Sequence, residues 1–172
     1  MESILLRKAK KEDAAEILNI TKKAFEKYAE QLDKRDQVTA LKETIADIES
    51  DISNKHVYVC VVDGDMKGAV RFDVLAQGIA YLSRFAIDPE SQSLGLGGLL
   101  LEKVRLECKR LGVRAITLHT ASKMRSSVSF YLKNGYYIHS ITRDRDYIRA
   151  FMVNELVKMD ELFDYESIVR KK

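Results

Sequence analysis

Apolar and polar positions divide this chain into runs of two periods, one near 3.6 residues and one of 2. Ile4 to Lys8 (ILLRK) reads as a short strand. Glu12 and Asp13 open a helix, where acidic residues suit the positive end of the dipole. Ile17, Ile20, Ala24 and Tyr28 follow at helical spacing, with Leu18, Thr21 and Phe25 beside them. The pattern predicts a second helix over Asp36 to Asp51, with Leu41, Ile45 and Ile48 as its apolar stripe, broken at Ser53-Asn54-Lys55. Val57 to Val62 (VYVCVV) is apolar on both faces and reads as a strand covered on both sides. Asp63-Gly64-Asp65 is a hairpin signal, Met66 to Leu75 returns as a strand, and Gln77-Gly78 turns again. Ile79 to Ile87 completes an antiparallel meander.

A long helix is predicted from about Gly98 to Leu111, burying Leu100, Leu101, Val104, Cys108 and Leu111, with Gly112 as its C-cap. Arg114 to Thr120 (RAITLHT) is a strand again. The strand–helix–strand passage from Ile79 to Thr120 is a crossover, so these two strands are expected to be parallel neighbours. Ser126 to Lys133 reads as a short helix closed by Asn134-Gly135. Tyr136 to Ile141 and Tyr147 to Val157 are the last strands, separated by the charged RDRD turn. Lys158 to Lys172 is a charged tail with a weak helical pattern. The class is α/β with a mixed, mostly antiparallel sheet.

Composition narrows this little. A length of 172 residues fits one domain with a proper core, and 46% apolar with 32% charged residues is an ordinary soluble mixture. A net charge of +3 gives no ground for nucleic-acid binding, and no run approaches the roughly 20 apolar residues of a membrane helix. The chain starts at Met1 and goes straight into an amphipathic pattern without a signal peptide, so the expected location is cytoplasmic. Cys60 and Cys108 sit inside a strand and a helix pattern, as small buried hydrophobes in a reducing compartment. Neither CxxC nor HExxH is present, so no metal is expected.

The chemistry is concentrated between Tyr81 and Leu111. A strand delivers the chain to a turn with the only proline, Pro89, then to a loop with Gly95, Gly97 and Gly98, and the long helix starts there. Such a loop aims backbone N–H groups at one spot, and the helix N-terminus adds partial positive charge: a site for an anion such as a phosphate. No GxxxxGK[ST] run exists, and from Gly95 the third position of GxGxxG is Leu100. What stands here is Gln92-Ser93-Leu94-Gly95-Leu96-Gly97, which resembles the Q/R-x-x-G-x-G/A loop of the GCN5-related N-acetyltransferase (GNAT) superfamily. Downstream, FYLKNGYY resembles the FY-x-x-x-G-aromatic ending of that family's fourth helix. The resemblance covers Ile4 to about Leu156.

The resemblance implies a GNAT fold: a central sheet of about six or seven strands with a splayed parallel pair, flanked by about four helices. It implies one acetyltransferase domain over residues 1–157, with residues 158–172 packing on it or on a second subunit, since dimers are common in the family. The cosubstrate is acetyl-CoA. Gln92, Ser93, Leu94, Gly95, Leu96, Gly97 and Gly98 would hold its pyrophosphate, with Leu94 and Leu96 pointing into the core. The feeding strand splays at a bulge, and backbone of Phe85, Ala86 and Ile87 would meet the pantetheine arm and polarise the acetyl carbonyl.

Tyr131, the tyrosine of the FY pair, would protonate the departing thiolate; beside it stands the reading of a core tyrosine packed with Val128 and Leu132. The general base stays open. Some relatives have a glutamate where this chain has Tyr81; Tyr81 and Ser83 share the pleat face of Phe85, His119 has a suitable pKa, and water serves equally. Met124 and Ser127 stand where relatives often carry asparagine and alanine. The expected reaction is transfer of acetyl from acetyl-CoA to a primary amine, on a small molecule or a peptide, by direct attack in a ternary complex. The rivals are a coenzyme A-binding sensor of the same fold and a protein N-acetyltransferase.

Overall fold

The computed structural model describes residues 3–171. Its strands are β1 (Ile4–Lys8), β2 (His56–Val62), β3 (Asp65–Val74), β4 (Ile79–Ile87), β5 (Ala115–Ala121), β6 (Tyr137–Thr142) and β7 (Arg149–Glu155). Its α-helices are α1 (Ala14–Leu32), α2 (Ile45–Asn54), α3 (Leu96–Arg110), α4 (Arg125–Lys133) and α5 (Tyr165–Arg170). The strands form one seven-stranded sheet in the order β1-β2-β3-β4-β5-β7-β6. Only β4 and β5 are parallel among the pairings described, so this is the mixed sheet expected. No helix among the described residues is long and apolar enough to cross a membrane.

The chain divides into two compact units, residues 1–72 with 84–103, and residues 73–83 with 104–172. In the first unit, β1 and β2 pair antiparallel from Ile4↔Val62 to Lys8↔Tyr58. Asp63 (φ 49°) and Gly64 (φ 93°) both take left-handed backbone, the two-residue turn that suits the twist of a β2–β3 hairpin. Ile17 and Ile20 of α1 and Ile48 of α2 pack on Val57, Val59, Ala69 and Ala86 of the strands.

The segment before α2 departs from the pattern-based expectation. No continuous helix covers Asp36 to Asp51; two 3-10 turns, Arg35–Gln37 and Thr39–Lys42, precede α2. The reason is Thr44. It takes extended backbone (φ −112°, ψ 168°) and closes a reciprocal cap with Asp47, so the α-helix starts after it. Ile45 is consequently 45% exposed, whereas Ile48 is fully buried. The Ser53-Asn54-Lys55 break is shifted as well, since α2 runs through Asn54.

In the second unit, β4 pairs with β5 from Ile79↔Ala115 to Tyr81↔Thr117, the parallel neighbours expected of the crossover. The Thr117 hydroxyl, fully buried, donates to the Ala80 carbonyl at 2.8 Å. β7 pairs antiparallel with β5 along its length and with β6 on its other side. The tail beyond β7 is ordered: Met159, Tyr165 and Ile168 are buried in one cluster with Ile79, Ala115, Phe151 and Val153. At the end of α3, Gly112 (φ 73°) lets the Val113 N–H reach back to the Cys108 carbonyl at 2.9 Å, the expected glycine cap. Leu111, however, is 36% exposed and does not belong to the buried face of the helix; it lies beyond the last helical turn, at the start of that cap.

Candidate active site

Within β4, Arg84 has φ 51°. A left-handed residue in a strand makes a bulge and re-aims the side chains beyond it, so the alternation that put Tyr81 and Ser83 on the face of Phe85 stops at Ser83. For a residue with a Cβ this backbone costs about 1–2 kcal/mol, so surrounding contacts must hold it. They do. The Arg84 Nε donates to Glu43 Oε1 at 2.8 Å and Nη2 to the Thr39 hydroxyl at 3.2 Å. Glu43 in turn accepts both forks of Arg71, each at 3.0 Å, and Arg71 also donates to Asp51 at 2.7 Å. Arg71 is only 1% exposed, so it is a buried cation neutralised by two carboxylates. Lys55 completes the chain of charges at 2.8 Å from Asp51. Burial works against charge on Asp51, but hydrogen bonds from Lys55 and Arg71 hold its carboxyl below the ordinary range. The result is a charged strap from α2 to the bulge.

Beyond the bulge, Ala86 and Ile87 are buried and Phe85 is partly exposed. Gly68 of β3 allows close approach here, because a Cβ on it would stand 2.7 Å from the tip of Ile87 and 3.3 Å from the Ala86 carbonyl. Asp88 then caps the 3-10 turn Pro89–Leu94, accepting from the Glu90 N–H at 3.1 Å. Gln92, Ser93 and Leu94 are exposed on this turn, and the Gln92 amide oxygen accepts from Lys27 at 3.4 Å. Gly95 follows with φ 72°, and a Cβ built on it meets nothing within 4 Å, so the outer face of the loop is open. α3 starts at Leu96, two residues earlier than the sequence pattern suggests, so Gly97 and Gly98 form its first turn. The N–H groups of a first helical turn point outward along the axis, where they attract anions. Leu96 is fully buried, as expected; Leu94 is 49% exposed and does not enter the core, because the left-handed turn at Gly95 comes between them.

The remaining sequence-derived candidates lie in the second unit. Tyr131, in the last turn of α4, is 8% exposed, with its ring edge-on to Phe130 at 5.3 Å and to Tyr136 at 5.6 Å. Tyr136 is buried, and that burial, with Tyr131 and Cys108 nearby, pushes its phenol well above the ordinary value. Cys108 is a free, fully buried thiol pushed up to about 12 by burial, with a smaller push from Glu107. Met124, just before α4, is 6% exposed. Tyr81 and His119 meet: the Tyr81 hydroxyl is 2.9 Å from His119 Nδ1.

The sequence profile of the acetyltransferase (GNAT) family matches residues 14–136. The chain belongs to the GNAT acetyltransferase family. No curated protein matches it significantly. Solved GNAT structures share the fold at low identity. The paia N-acetyltransferase of Thermoplasma acidophilum, in complex with coenzyme A, is similar at TM-score 0.80 and 18% identity, over 89% of this chain and 99% of that one. The ribosomal-protein-S18-alanine N-acetyltransferase of Escherichia coli is similar at 0.71 and 19%, over 96% and 100%. A GNAT-family acetyltransferase of Streptococcus pneumoniae is similar at 0.71 and 20%, over 91% and 100%.

Of the residues that the resemblance implies for the cosubstrate and for catalysis, Phe85 to Ile87 and Gln92 to Gly98 fall in one unit and Tyr131 in the other. The loop fits a diphosphate: it has an open left-handed glycine followed at once by a helix N-terminus. Sequence reasoning missed Arg84, Glu43 and Arg71. A charge set between the apolar Val70 and Phe72 of β3 was the signal for Arg71; the left-handed backbone of Arg84 left no trace in its residue type.

Proposed function

We propose that this GNAT protein is an acetyl-CoA-dependent N-acetyltransferase of the cytoplasm, acting on the primary amine of a small molecule or a peptide. What carries the reading is the chain path from Arg84 to Gly98: a left-handed bulge in β4, a capped 3-10 turn, left-handed Gly95, and the first turn of α3. The first feature turns backbone of Phe85–Ile87 toward the pantetheine arm and the acetyl carbonyl. The last two present amides to the diphosphate. Gln92, Ser93 and Leu94, exposed on the turn, line the approach.

The amine nitrogen attacks the thioester carbonyl carbon. As the C–N bond forms the C–S bond breaks, the sulfur leaves with a proton from the Tyr131 hydroxyl, and the proton that the nitrogen sheds on becoming an amide restores that hydroxyl by way of solvent. A phenol, with an ordinary pKa near 10, is protonated at neutral pH and can donate. Direct attack is favoured over an acetyl-cysteine intermediate because Cys108, the cysteine near Tyr136, is a fully buried thiol whose raised pKa denies it a thiolate.

The test is thiol release from acetyl-CoA across a panel of amines, amino acids and peptides. Tyr131→Phe is expected to cut turnover by about 10²–10⁴ with cofactor affinity kept; unchanged turnover removes Tyr131 as the acid. A second reading, a coenzyme A sensor, is favoured by the buried apolar Met124 where relatives often carry asparagine. Tight coenzyme A binding without thiol release on any amine would select it.

A further inference from the structure

Two candidates that the sequence left as alternatives are joined in the structure. Tyr81 and Ser83 alternate on β4 with Ile79, and His119 alternates on β5 with Ala115 and Thr117. Ile79 and Ala115 lie under the tail, buried against Met159, Tyr165 and Ile168. Further along the same face, Tyr81, Ser83 and His119 are partly exposed, so the pair stands where the burial of Ile79 and Ala115 gives way to partial exposure. The Tyr81 hydroxyl meets His119 Nδ1 at 2.9 Å, with ring centroids 5.7 Å apart.

We propose that Tyr81 and His119 form a proton-accepting pair that deprotonates the acceptor ammonium, so that His119 holds the proton and Tyr81 passes it. The inference rests on the acetyl-transfer reading above. In the resting pair the Tyr81 hydroxyl donates to neutral Nδ1, and the imidazole carries its own proton on Nε2. The ammonium gives one proton to the Tyr81 oxygen as the Tyr81 proton moves to Nδ1. The amine lone pair is freed, the phenol is regenerated, and the positive charge rests on the imidazolium. After transfer that proton leaves to solvent, which matches the one proton released when an ammonium becomes an amide and a thioester becomes a thiol.

The surroundings suit a ring that gains and loses charge. Phe151 of β7 packs against the imidazole at 4.8 Å and fixes its plane, and His139 of β6 touches that phenyl ring at 5.6 Å. Asp144, in the β6–β7 turn, is an acidic group that feels His119. Burial opposes its ionisation, but Arg149, at 2.9 Å, holds the carboxyl below its ordinary value, with a smaller attraction from His119. The imidazole thus stands within hydrogen-bond reach of a phenol hydroxyl and within the attraction of a carboxylate.

The experiment measures kcat/KM against pH for thiol release with the best amine, alongside coenzyme A binding by calorimetry. The parent protein is compared with His119→Gln, His119→Ala and Tyr81→Phe. The expected result is an acid limb in the parent that disappears in both His119 variants, a loss of about 10²–10⁴ in kcat/KM, and unchanged coenzyme A affinity. Tyr81→Phe is expected to lose about 10-fold or more in kcat. Added imidazole is expected to restore part of the His119→Ala rate, which a purely structural histidine would not permit. His119 variants that keep the parent's rate and acid limb overturn the pair and leave acetyl transfer standing. A parent that binds coenzyme A but releases no thiol with any amine overturns the acetyl-transfer reading and the pair with it. If a His119 variant melts at lower temperature, Tyr81→Phe decides alone: parental kcat and acid limb there overturn the pair.

Discussion

Glu43→Ala should destabilise the protein far more than an ordinary surface substitution. The Glu43 carboxylate accepts both forks of Arg71 at 3.0 Å and the Arg84 Nε at 2.8 Å. Charge-assisted bonds contribute about 1.5–3 kcal/mol each, so three together suggest about 4–9 kcal/mol as a ceiling. They share one carboxylate and are not additive. Asp51, at 2.7 Å from Arg71, also remains as a partner for the buried guanidinium. Breaking one side of a buried pair costs about 3–5 kcal/mol, and the surviving partner argues for the lower end, about 3 kcal/mol. For a chain this long that is a fall in Tm of about 6–12 °C. Arg71→Met is the control. It leaves Glu43 bound to Arg84 and Asp51 bound to Lys55 at 2.8 Å, each carboxylate with some water access, so about 1–2 kcal/mol is expected. Urea unfolding followed by far-UV circular dichroism reads both. Glu43→Ala within 1 kcal/mol of the parent (a threshold set by ordinary surface substitutions, about 0.5 kcal/mol), or Arg71→Met costing as much as Glu43→Ala, would refute the reasoning.

Gly95→Val should weaken coenzyme A binding by about 10-fold or more and cost about 1–2 kcal/mol of stability, because valine resists φ 72°. Gly95→Asn, which tolerates that backbone, should keep stability and lose affinity; calorimetric titration with coenzyme A distinguishes the two, and full affinity in both variants would reassign the loop. Acid should unfold the protein in part through Asp51 and Asp13. The Asp13 carboxyl is lowered by its hydrogen bond from Arg7, and Asp51 is lowered despite burial by its bonds to Lys55 and Arg71. Their folded pKa values lie below the unfolded value near 3.9, so this stability is fully present above about pH 4 and is lost as pH falls through the folded values. Asp51→Asn should flatten the pH dependence of the urea midpoint between about pH 2 and 4, and an unchanged slope would remove Asp51 from the account. Tyr165→Ala empties a 1%-exposed site in the tail cluster and should cost about 3–5 kcal/mol, read by thermal melting; a loss under 1 kcal/mol would mean the tail is not part of the fold's core.

Legibility of the sequence depended on how local each determinant was. β4 is recovered at both ends because Ile79 to Ile87 is an apolar stretch, interrupted at Ser83 and Arg84, between a Gln-Gly turn and the only proline. The parallel pairing of β4 with β5 and the Gly112 cap were legible for the same reason: a handedness rule and a single residue type decide them. The 35–44 segment was misread because Leu41 and Ile45 keep helical spacing while Thr44 stops the helix through its own backbone and its bond to Asp47. The loop was legible through its glycines, although which glycine needs left-handed backbone was not: Gly95 does, and Gly97 joins the helix. Tyr81 and His119 each looked ambiguous alone. Their pairing spans a sequence separation of 38 and depends on the β4–β5 register, which spacing along the chain does not encode.

The strap through Glu43 has an evolutionary corollary. Positions 39, 43, 71 and 84 lie on three separate stretches of chain, yet the bulge at Arg84 is held by the first two, and Glu43 is shared with Arg71. A change at position 43 therefore takes a carboxylate from two arginines at once, whereas a change at position 71 leaves each carboxylate a cation. Drift in a lineage of such proteins should accordingly run in one order: position 71 can become apolar first, and only afterwards do positions 43 and 84 become free to change as a pair. The backbone proposed to face the acetyl group would then be inherited through a segment on another stretch of the chain.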